Sequence, residues 1–504
     1  MLRPWDLKIL IRRDGSSVSR QIVQAIIEEI RRGRLLPGTP LPGTRDLARA
    51  LDLNRKTVIG AFDELTAQGW LVTEGRRGTF VSSELPGDSV VAEKPADARV
   101  ALQPGFVLRG ESPDVSCLYA EDGYFTFDDG APDTRLAPVS EIAAAWRKAL
   151  VSASKRNRLG YGDPRGSLVL RREILAMLNS ERGLTAAEDN ICVVRGSQMG
   201  IYIAARVLVR PGDIVVMEAL SYPPAREAFR SAGAEVVTVG LDEDGMKIDE
   251  LERLCRKKRV RAVYVTPHHQ FPTTVLLPAA RRMRLLALAE QFDFAIIEDD
   301  YSHEFHFAHR PMLPLASVDR GGKVVYVGSM SKLLTPSLRV GYLIAPAAFI
   351  ERAVAEVTII DRQGDPATEA AVADLLASGE IRSHTKRVVK IYAERRNQLA
   401  QLLTQQFGER LAFTLPVGGL ALWARFTPEV DMQRLRECAA SQRLRFLGAE
   451  TFVLENQAPA ALRLGFGSLN QVELKEGVDR LAQAVAMLQA DDSRHARKLV
   501  DPCE

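Results

Sequence analysis

Short apolar runs rich in β-branched residues alternate with helical segments from about Tyr124 onward, and this alternation is the strongest constraint on the fold. The runs are bounded by Gly, Pro or charged residues, and they are Ile191–Val194, Ile214–Met217, Ala262–Thr266, Ala295–Glu298 and Val324–Val327. Helical segments such as 277–291 separate them. Parallel strands need long crossover connections, which are usually helices. The alternation therefore predicts an α/β domain with a mainly parallel sheet.

The C-terminal part of the chain has a different pattern. A helix at roughly 380–407 is followed by strands at Ala421–Phe426 and Leu462–Gly467, which is typical of a smaller α+β lobe. The chain has 504 residues, more than one hydrophobic core usually holds. We therefore expect at least two domains, with the Pro- and Gly-containing stretch 82–116 as a linker.

Residues 18–81 predict three short helices followed by a hairpin. Thr44 is the expected N-cap of the second helix, and the third helix begins at Asn54. Two apolar runs, 70–72 and 79–81, flank a charged turn that contains glycine. Three short helices and a basic hairpin are typical of a winged helix.

Positive charge is concentrated in this N-terminal region. Residues 1–85 contain 14 Lys and Arg against 10 Asp and Glu, whereas the rest of the chain is close to neutral. The stretch Asn54–Thr57 opens the third helix, so a positive helix N-terminus, two cations and a hydroxyl can grip a phosphate and read a base edge. Arg76 and Arg77 at the hairpin tip can reach a groove or the backbone of DNA. Solvated charges on an ordinary helical bundle would give the same pattern.

Four stretches of this region carry a specific resemblance. They are Gly33–Gly38, Leu41–Ala48, Asn54–Val58 and Gly69–Leu71. Together they closely resemble the winged-helix domain of GntR-type bacterial repressors. The resemblance implies that the region binds double-stranded promoter DNA. The residues that it assigns to the DNA contact are Arg45, Arg55, Lys56, Thr57, Arg76, Arg77 and Gly78.

A second motif follows the apolar run 324–327. The turn Gly328–Lys332 is rich in hydroxyl groups and leads from a buried strand to a lysine, and Arg339 comes seven residues later. Such a turn can hold a phosphate and place an amine beside it, as a Schiff-base lysine requires. A lone solvated lysine is the ordinary alternative.

Carboxylates end the preceding apolar run. Glu298, Asp299 and Asp300 are followed directly by Tyr301. In open α/β sheets the ligand site lies at the carboxyl ends of the strands. Taken alone, such a cluster more often marks a helix start or a surface ion pair.

Together the two motifs strongly resemble the fold-type-I aminotransferases, which use pyridoxal 5′-phosphate (PLP). The resemblance implies that Lys332 forms the internal aldimine and that Asp299 pairs with the protonated ring nitrogen. It also implies a hydrogen bond from Tyr301 to the ring oxygen and stacking of Tyr222 on the ring. Tyr161 resembles the tyrosine that reaches the phosphate from the other subunit. The phosphate-binding residues that it implies are Gly196, Ser197, Gln198, Ser329 and Arg339.

Arg463 lies within a predicted C-terminal strand. Alternation places Leu462 and Leu464 on one face of the strand and Arg463 on the other. A cation in an apolar strand needs an anionic partner. The resemblance implies that this partner is the acid group of an effector, and a structural carboxylate is the alternative.

One loop departs from the aminotransferase pattern. The stretch 266–274 stands where these proteins usually carry an Asn-Pro-x-Gly loop, so the usual asparagine bond to the ring oxygen is in doubt. His269 and Gln270 are candidates to replace it. A structural histidine with its own partner is an equally good interpretation.

The fusion of the two regions resembles the MocR subgroup of GntR regulators over nearly the whole chain. It implies a homodimer in which PLP and an amine or amino-acid effector act on DNA binding. We expect a winged helix at 1–84, a linker at 85–121 and, at 122–492, a fold-type-I PLP domain with large and small lobes. The alternative is a PLP-dependent aminotransferase with an accessory DNA-binding domain. We expect sensing rather than turnover, although a transaminase half-reaction is compatible with the motifs.

Cysteine usage and the N-terminus limit the compartment. The five cysteines are scattered and never spaced as C-x-x-C, so we expect neither a disulfide framework nor a zinc site, and no metal centre. Met1–Gly15 carries charges throughout and lacks the apolar core of a secretory signal. The longest uncharged run, Ala262–Ala280, contains three prolines and is a poor membrane span. These features predict a cytoplasmic protein without a membrane segment.

Overall fold

The computed structural model divides the chain into two compact units, residues 1–110 and 111–504. The residues that it describes are 17–86, 105–107, 123–157, 159–307, 312–453 and 458–500, together with Ile9 and Ile11. At Arg76 and from residue 491 onward only the backbone is described. Most of the predicted linker at 85–121 lies outside the described residues.

The first unit contains three helices and a two-stranded hairpin. Their bounds are α1 Val18–Arg31, α2 Thr44–Ala50, α3 Arg55–Ala67, β1 Leu71–Thr73 and β2 Thr79–Val81. A small apolar core joins α1 to α3 and includes Ile22, Ile26 and Phe62. Three helices followed by an antiparallel hairpin confirm the expected winged helix.

The helices α2 and α3 begin in different ways. Asn54 caps α3, because its side chain accepts a hydrogen bond from the main-chain N–H of Lys56 at 2.9 Å. The prediction that Thr44 caps α2 is wrong, since Gly43 holds that position without a side-chain cap and Thr44 is itself the first helical residue. Its hydroxyl instead accepts a hydrogen bond from Nε of Arg55 at 3.4 Å. This bond ties the start of α2 to the start of α3.

The second unit alternates strands and helices, as the sequence predicts. Its strands are β3 Phe125–Thr126, β4 Ile191–Val194, β5 Ile214–Glu218, β6 Glu235–Val239, β7 Leu241–Asp242, β8 Gly245–Met246, β9 Val260–Val265, β10 Ala295–Asp300, β11 Val324–Ser329, β12 Gly341–Ile344, β13 Leu411–Phe413, β14 Ala421–Phe426, β15 Leu444–Arg445, β16 Leu447–Gly448 and β17 Ala461–Gly465. Its helices are α4 Val139–Lys155, α5 Leu168–Glu181, α6 Ser197–Leu208, α7 Pro223–Ser231, α8 Ile248–Lys257, α9 Ala279–Phe292, α10 Ala347–Ile360, α11 Pro366–Ala377, α12 Glu380–Phe407, α13 Met432–Ser441 and α14 Gln471–Val500. Within the described ranges, no helix combines the length and apolar character needed to cross a membrane.

A central sheet organises the large lobe of this unit. Its strand order is β4, β12, β11, β10, β9, β5 and β6, and only β12 runs antiparallel to its neighbours. Apolar layers cover both faces, as a mainly parallel sheet requires. In the pairing of β10 with β11, Asp299 lies opposite Val327 and Asp300 lies opposite Gly328. The carboxylates and the turn that leads to Lys332 therefore leave the sheet at the same edge.

The small lobe is built on a second, antiparallel sheet. Its strand order is β13, β14, β17 and β16, and Arg463 of β17 lies opposite Trp423 of β14. The short strand β3 pairs with β15, which attaches the start of the unit to this lobe. The chain then continues through Asp129 and Gly130, whose main-chain oxygens bond to Arg463 and Lys332. This segment connects a residue of the small lobe with a residue of the large one.

Candidate functional site

Lys332 follows β11 and its amine lies inside the unit. Its Nζ donates a hydrogen bond to the main-chain oxygen of Gly130 at 3.1 Å and lies 4.5 Å from the centre of the Tyr301 ring. Burial lowers the pKa of Lys332 below its usual value, because the charged form is poorly solvated there. A lysine whose pKa is lowered is the kind of amine that reacts with a carbonyl.

Asp299 has one satisfied and one unsatisfied oxygen. It is 4% exposed, and its Oδ2 accepts a hydrogen bond from the hydroxyl of Tyr264 at 2.8 Å. Its Oδ1 is buried and has no hydrogen-bond partner among the residues that the structure describes. Burial raises the pKa of Asp299 to about 7. A buried acceptor without a donor is costly, so this oxygen fits a ligand that carries an N–H group.

A glycine and an arginine form a narrow cradle before α6. Gly196 has a positive φ of 79° and precedes Ser197, the first residue of the helix. This positive φ favours glycine, and a Cβ atom at position 196 would also crowd Nη2 of Arg339 at 2.5 Å. Arg339 also donates to the main-chain oxygen of Arg195 at 3.2 Å. Helix N-terminal amides beside an arginine suit a phosphate dianion.

The sheet brings Ser329 to the same cradle. Ser329 ends β11 and pairs with Gly341 of β12. A Cβ atom at Gly341 would lie 2.6 Å from the main chain of Gly196, so β12 runs directly against the cradle. The hydroxyl of Ser329 accepts a hydrogen bond from the main-chain N–H of Ser331 at 3.2 Å. Residues predicted from two separate motifs therefore lie together.

Three further predicted residues have partners within the protein. Nε2 of Gln198 donates to a main-chain oxygen of α7 at 2.9 Å, which links the start of α6 to the helix that follows Tyr222. The ring of Phe271 packs edge to face against Tyr222 at 5.2 Å and against Tyr301 at 5.9 Å. The hydroxyl of Tyr301 donates to the main-chain oxygen of His269 at 2.8 Å. The contacts of these side chains with a cofactor ring or phosphate stay predictions.

Arg463 is almost fully buried, and two of its nitrogens donate to main-chain oxygens. Its Nε donates to the oxygen of Asp129 at 2.8 Å, and its Nη1 donates to the oxygen of Pro272. The guanidinium carbon lies 4.4 Å from the centre of the Phe271 ring. In the part of the chain that the structure describes, no carboxylate pairs with it, so the alternative of a structural carboxylate is not observed. A buried guanidinium without a counter-charge favours an anionic ligand.

The loop that departs from the aminotransferase pattern is held by its own bonds. Nε2 of Gln270 donates to Oε2 of Glu218 at 3.1 Å, and its Oε1 accepts from the N–H of Thr273 at 3.0 Å. Nδ1 of His269 pairs with Oγ of Ser302 at 2.9 Å. Both side chains therefore have structural partners, and a bond from His269 or Gln270 to the cofactor ring in place of the family's asparagine stays a prediction.

Tyr161 lies at the surface of the second unit. Its side chain is 77% exposed and packs against the guanidinium of Arg362, 4.0 Å from its ring centre. The contact of Tyr161 with the phosphate site of a second subunit stays a prediction.

The predicted DNA-binding residues of the helices lie at exposed helix starts. Arg45 is in the first turn of α2, and Arg55 and Lys56 open α3. Thr57 follows them and is half-buried. Two exposed cations at the N-terminus of α3 are placed to meet DNA phosphates and base edges.

The wing adds a further cation. Arg77 is exposed and forms an ion pair with Glu74 at 2.8 Å. Gly78 has a φ of 115°, which turns the chain back into β2. The side chain of Arg76 lies outside the described residues. The hairpin thus presents a charged tip, as a DNA-contacting wing requires.

The sequence analysis missed the segment around Gly130. Gly130 has a φ of 101°, and a Cβ atom there would lie 3.4 Å from Nη2 of Arg463. Asp128 stabilises the turn by accepting from the N–H groups of Gly130 at 2.8 Å and Ala131 at 2.9 Å. The available signal was the sequence Asp128-Asp129-Gly130 after an apolar run, which is typical of a side-chain-capped turn.

Two protein families match the chain. Residues 18–81 match "Bacterial regulatory proteins, gntR family", and residues 126–481 match "Aminotransferase class I and II". The first range contains the winged helix and the second contains most of the large α/β unit. The second match alone covers more than half of the chain.

Individual relatives carry both parts. The chain is 29% identical over 487 residues to the "Probable rhizopine catabolism regulatory protein MocR" of Rhizobium meliloti, which covers 96% of this chain and 97% of that protein. It is 32% identical to the "HTH-type transcriptional regulator TauR" of Rhodobacter capsulatus, over 93% and 96% of the two chains. Among solved structures it is similar to LysN, an α-aminoadipate aminotransferase from Thermus thermophilus complexed with N-(5′-phosphopyridoxyl)-L-leucine. That similarity has a TM-score of 0.68 at 27% identity and covers 73% of this chain and 94% of LysN.

Proposed function

The chain belongs to the MocR-type transcription regulators, which join a GntR DNA-binding domain to an aminotransferase class I and II domain, and we propose that it senses an amine or amino acid through PLP bound at Lys332. The observation that carries the proposal is the presence of two buried groups, one basic and one acidic, that a single ligand could satisfy. Lys332 offers an amine whose pKa burial lowers, and Asp299 offers a buried oxygen without a donor. A pyridine ring with an aldehyde has groups that complement both.

The residues of this chain fit PLP at three points. Asp299 would accept from the protonated ring nitrogen, the cradle of Gly196, Ser329 and Arg339 would hold the phosphate, and Lys332 would carry the aldehyde carbon. PLP supplies an electrophilic carbon that exchanges amines and a ring that withdraws electrons. The protein's part is to bind and orient the ring and to hold Lys332 partly out of water.

The effector that we propose carries an amine and an acid group. Lys332 and Arg463 bond to the main-chain oxygens of consecutive residues, Gly130 and Asp129. An amine directed to the Lys332 position and an acid directed to Arg463 would therefore lie within one small molecule. Because Arg463 belongs to the small lobe and Lys332 to the large one, such a molecule would bridge the two lobes.

The bridged and open states would differ in DNA affinity. A ligand shifts an equilibrium only by its differential affinity for the two states, and about 1–3 kcal/mol of coupling is typical. A regulator that consumed its effector would erase its own signal, which favours binding over turnover. We also propose a homodimer, because Tyr161 is exposed and resembles a residue that acts across a subunit boundary.

Catalytic turnover is the second candidate function. The observation that favours it is that Lys332, the group able to move a proton, is present and partly buried. Steady-state transamination of amino donors with keto acids, measured beside effector-dependent DNA binding, separates the two functions. Rapid multiple turnover combined with indifference of DNA affinity to every amine tested would favour the enzyme.

The cofactor proposal is tested by Lys332→Ala with Lys323→Ala as its matched control. Lys323 precedes the same strand but pairs with Asp293 at the surface. We expect the visible absorption of protein-bound PLP to disappear in Lys332→Ala and to stay unchanged in Lys323→Ala. Retention of the band in a folded Lys332→Ala protein would place the covalent site elsewhere.

A further inference from the structure

A buried histidine–aspartate cluster lies outside the residues used above. It consists of His268, Asp300 and His303, and each residue is at most 5% exposed. His268 follows β9 and Asp300 ends β10, and these strands are parallel neighbours, so their carboxyl ends meet. One candidate donor atom of each residue lies within 4.8 Å of those of the other two.

Several polar atoms of the cluster are unsatisfied. Both ring nitrogens of His268 and Oδ1 of Asp300 are buried without a hydrogen-bond partner in the described part of the chain. Leaving a buried polar group unpaired destabilises the folded protein. His269, the next residue, has one bonded ring nitrogen, Nδ1 with Ser302, and one buried ring nitrogen, Nε2, without a partner in the described residues. Converging donor atoms without partners indicate that a ligand belongs between them.

The other atoms of the cluster are already oriented. Oδ2 of Asp300 accepts from the hydroxyl of Tyr326 at 2.7 Å and lies 3.0 Å from Nδ1 of His303. The bond from Tyr326 fixes the carboxylate from outside the cluster, in the way that supporting residues fix metal ligands. The 3.0 Å between Oδ2 of Asp300 and Nδ1 of His303 is close to the spacing of two donors on one ion, so these two atoms converge with a ring nitrogen of His268.

We propose that His268, Asp300 and His303 bind one divalent transition-metal ion of the Zn²⁺ class. Two imidazoles and one carboxylate are a common donor set for Zn²⁺ and similar ions, with water as the fourth ligand. Zn–N and Zn–O bonds of about 2.0–2.2 Å would place the donors roughly 3.3 Å apart. The candidate donors lie at most 4.8 Å apart, so ion binding would draw them closer by up to about 1.5 Å.

The surrounding charge permits a cation. Nη1 of Arg182 lies 3.6 Å from Oδ2 of Asp300, and the same guanidinium is also paired with Glu304. Arg282 and Glu298 also act on the cluster, so three carboxylates face two guanidinium groups. A cation bound at the cluster would neutralise the negative charge that remains.

A route to the cluster exists. A cavity of about 910 Å³ borders it at His303 and Glu304. Its wall also includes Glu181 and Arg382, which are exposed, so the cavity reaches the protein surface. An ion can enter through this cavity, and a water molecule in it can supply the fourth ligand.

The test uses the full-length protein, purified with its cofactor and dialysed against a chelator. Co²⁺ is added first, because its visible absorption reports coordination by nitrogen and oxygen, and Zn²⁺ is then added to displace it. We expect one ion per chain and a rise in Tm with Zn²⁺. His268→Gln and His303→Gln should each weaken binding at least about tenfold and remove the Tm rise.

The matched control is His384→Gln, which removes a buried histidine of α12 outside the cluster. It should bind the ion as the unchanged protein does. If His268→Gln does not fold, His268→Ser removes the imidazole without adding volume. Absence of stoichiometric binding, or binding that folded variants at 268 and 303 retain at full affinity, would overturn the proposal.

Discussion

Replacing Asp299 by asparagine tests the cofactor site at the atom that most specifically fits PLP. The substitution keeps the size of the side chain and removes its charge. It also replaces one oxygen by an NH₂ group, which cannot accept a hydrogen bond from the ring nitrogen. The hydroxyl of Tyr264, which now donates to Oδ2 at 2.8 Å, can donate to the remaining oxygen. We therefore expect a folded protein that holds PLP less tightly.

The size of the effect follows from the burial of the site. Asp299 is 4% exposed, so a bond between its carboxylate and a protonated ring nitrogen is shielded from water. Buried hydrogen bonds to charged groups contribute about 1.5–3 kcal/mol. Since about 1.4 kcal/mol is a factor of ten, the Kd for PLP should rise roughly 10- to 150-fold.

The assay is equilibrium dialysis of PLP against cofactor-depleted protein, with circular dichroism to confirm folding. Asp293→Asn is the matched control, because Asp293 is an exposed residue with φ 56° that ends α9, where asparagine is well tolerated. It should leave the Kd unchanged. Tyr264→Phe removes only the outer hydrogen bond and should raise the Kd by a smaller factor, corresponding to about 0.5–1.5 kcal/mol.

A Kd for Asp299→Asn within twofold of the unchanged protein would refute the reasoning, provided that the variant is folded. The unsatisfied oxygen would then face a solvent molecule rather than the ring nitrogen. A loss of equal size in Asp293→Asn would show that the assay reports general destabilisation. The prediction therefore depends on the difference between the two aspartates.

Three further predictions concern DNA binding, effector response and pH. Arg55→Ala should weaken operator binding by about 1–3 kcal/mol and relax base preference in a gel-shift competition, whereas Arg49→Ala on α2 should change little. Arg463→Ala should keep PLP and basal DNA affinity but lose the effector-induced change in DNA affinity, which exposed Arg425→Ala should retain. Burial raises the pKa of Glu218 from 4.5 to about 8, so the folded protein holds a proton there that the unfolded chain releases above pH 4.5. The stability of the unchanged protein relative to Glu218→Gln should therefore fall between pH 4.5 and 8, by at most about 1.4 kcal/mol per pH unit, in urea unfolding series; a constant difference would contradict this.

The alternation of apolar runs located the central strands because each run is bounded by residues that interrupt a strand. The run 295–298 grows to Ala295–Asp300 in the structure, since pairing with β11 continues through the carboxylates. The error at Thr44 has a local cause. A hydroxyl residue before a helix usually caps it, but here Gly43 already has the extended geometry of the cap position.

The bonds of Arg463 could not be predicted from the sequence. Its acceptors are main-chain oxygens of Asp129 and Pro272, which lie 334 and 191 residues away in the chain. Main-chain oxygens are present at every residue, so no side-chain pattern marks them. His268 and His303 were also not identified as a pair, because only the parallel register of β9 and β10 brings them together.

The turn at Asp129 and Gly130 explains why both groups of an effector would matter. Arg463 and Lys332 each donate to one oxygen of this turn, so the turn links a residue of the small lobe to a residue of the large one. A molecule with only an amine would exchange with Lys332 at the aldehyde carbon of PLP and leave the bond between Arg463 and Asp129 in place. A molecule that also carries an acid group would in addition compete with Asp129 for Arg463, so it would act on both lobes. Because a ligand shifts a conformational equilibrium by the difference in its affinity for the two states, the bifunctional molecule should change DNA affinity more than either half alone.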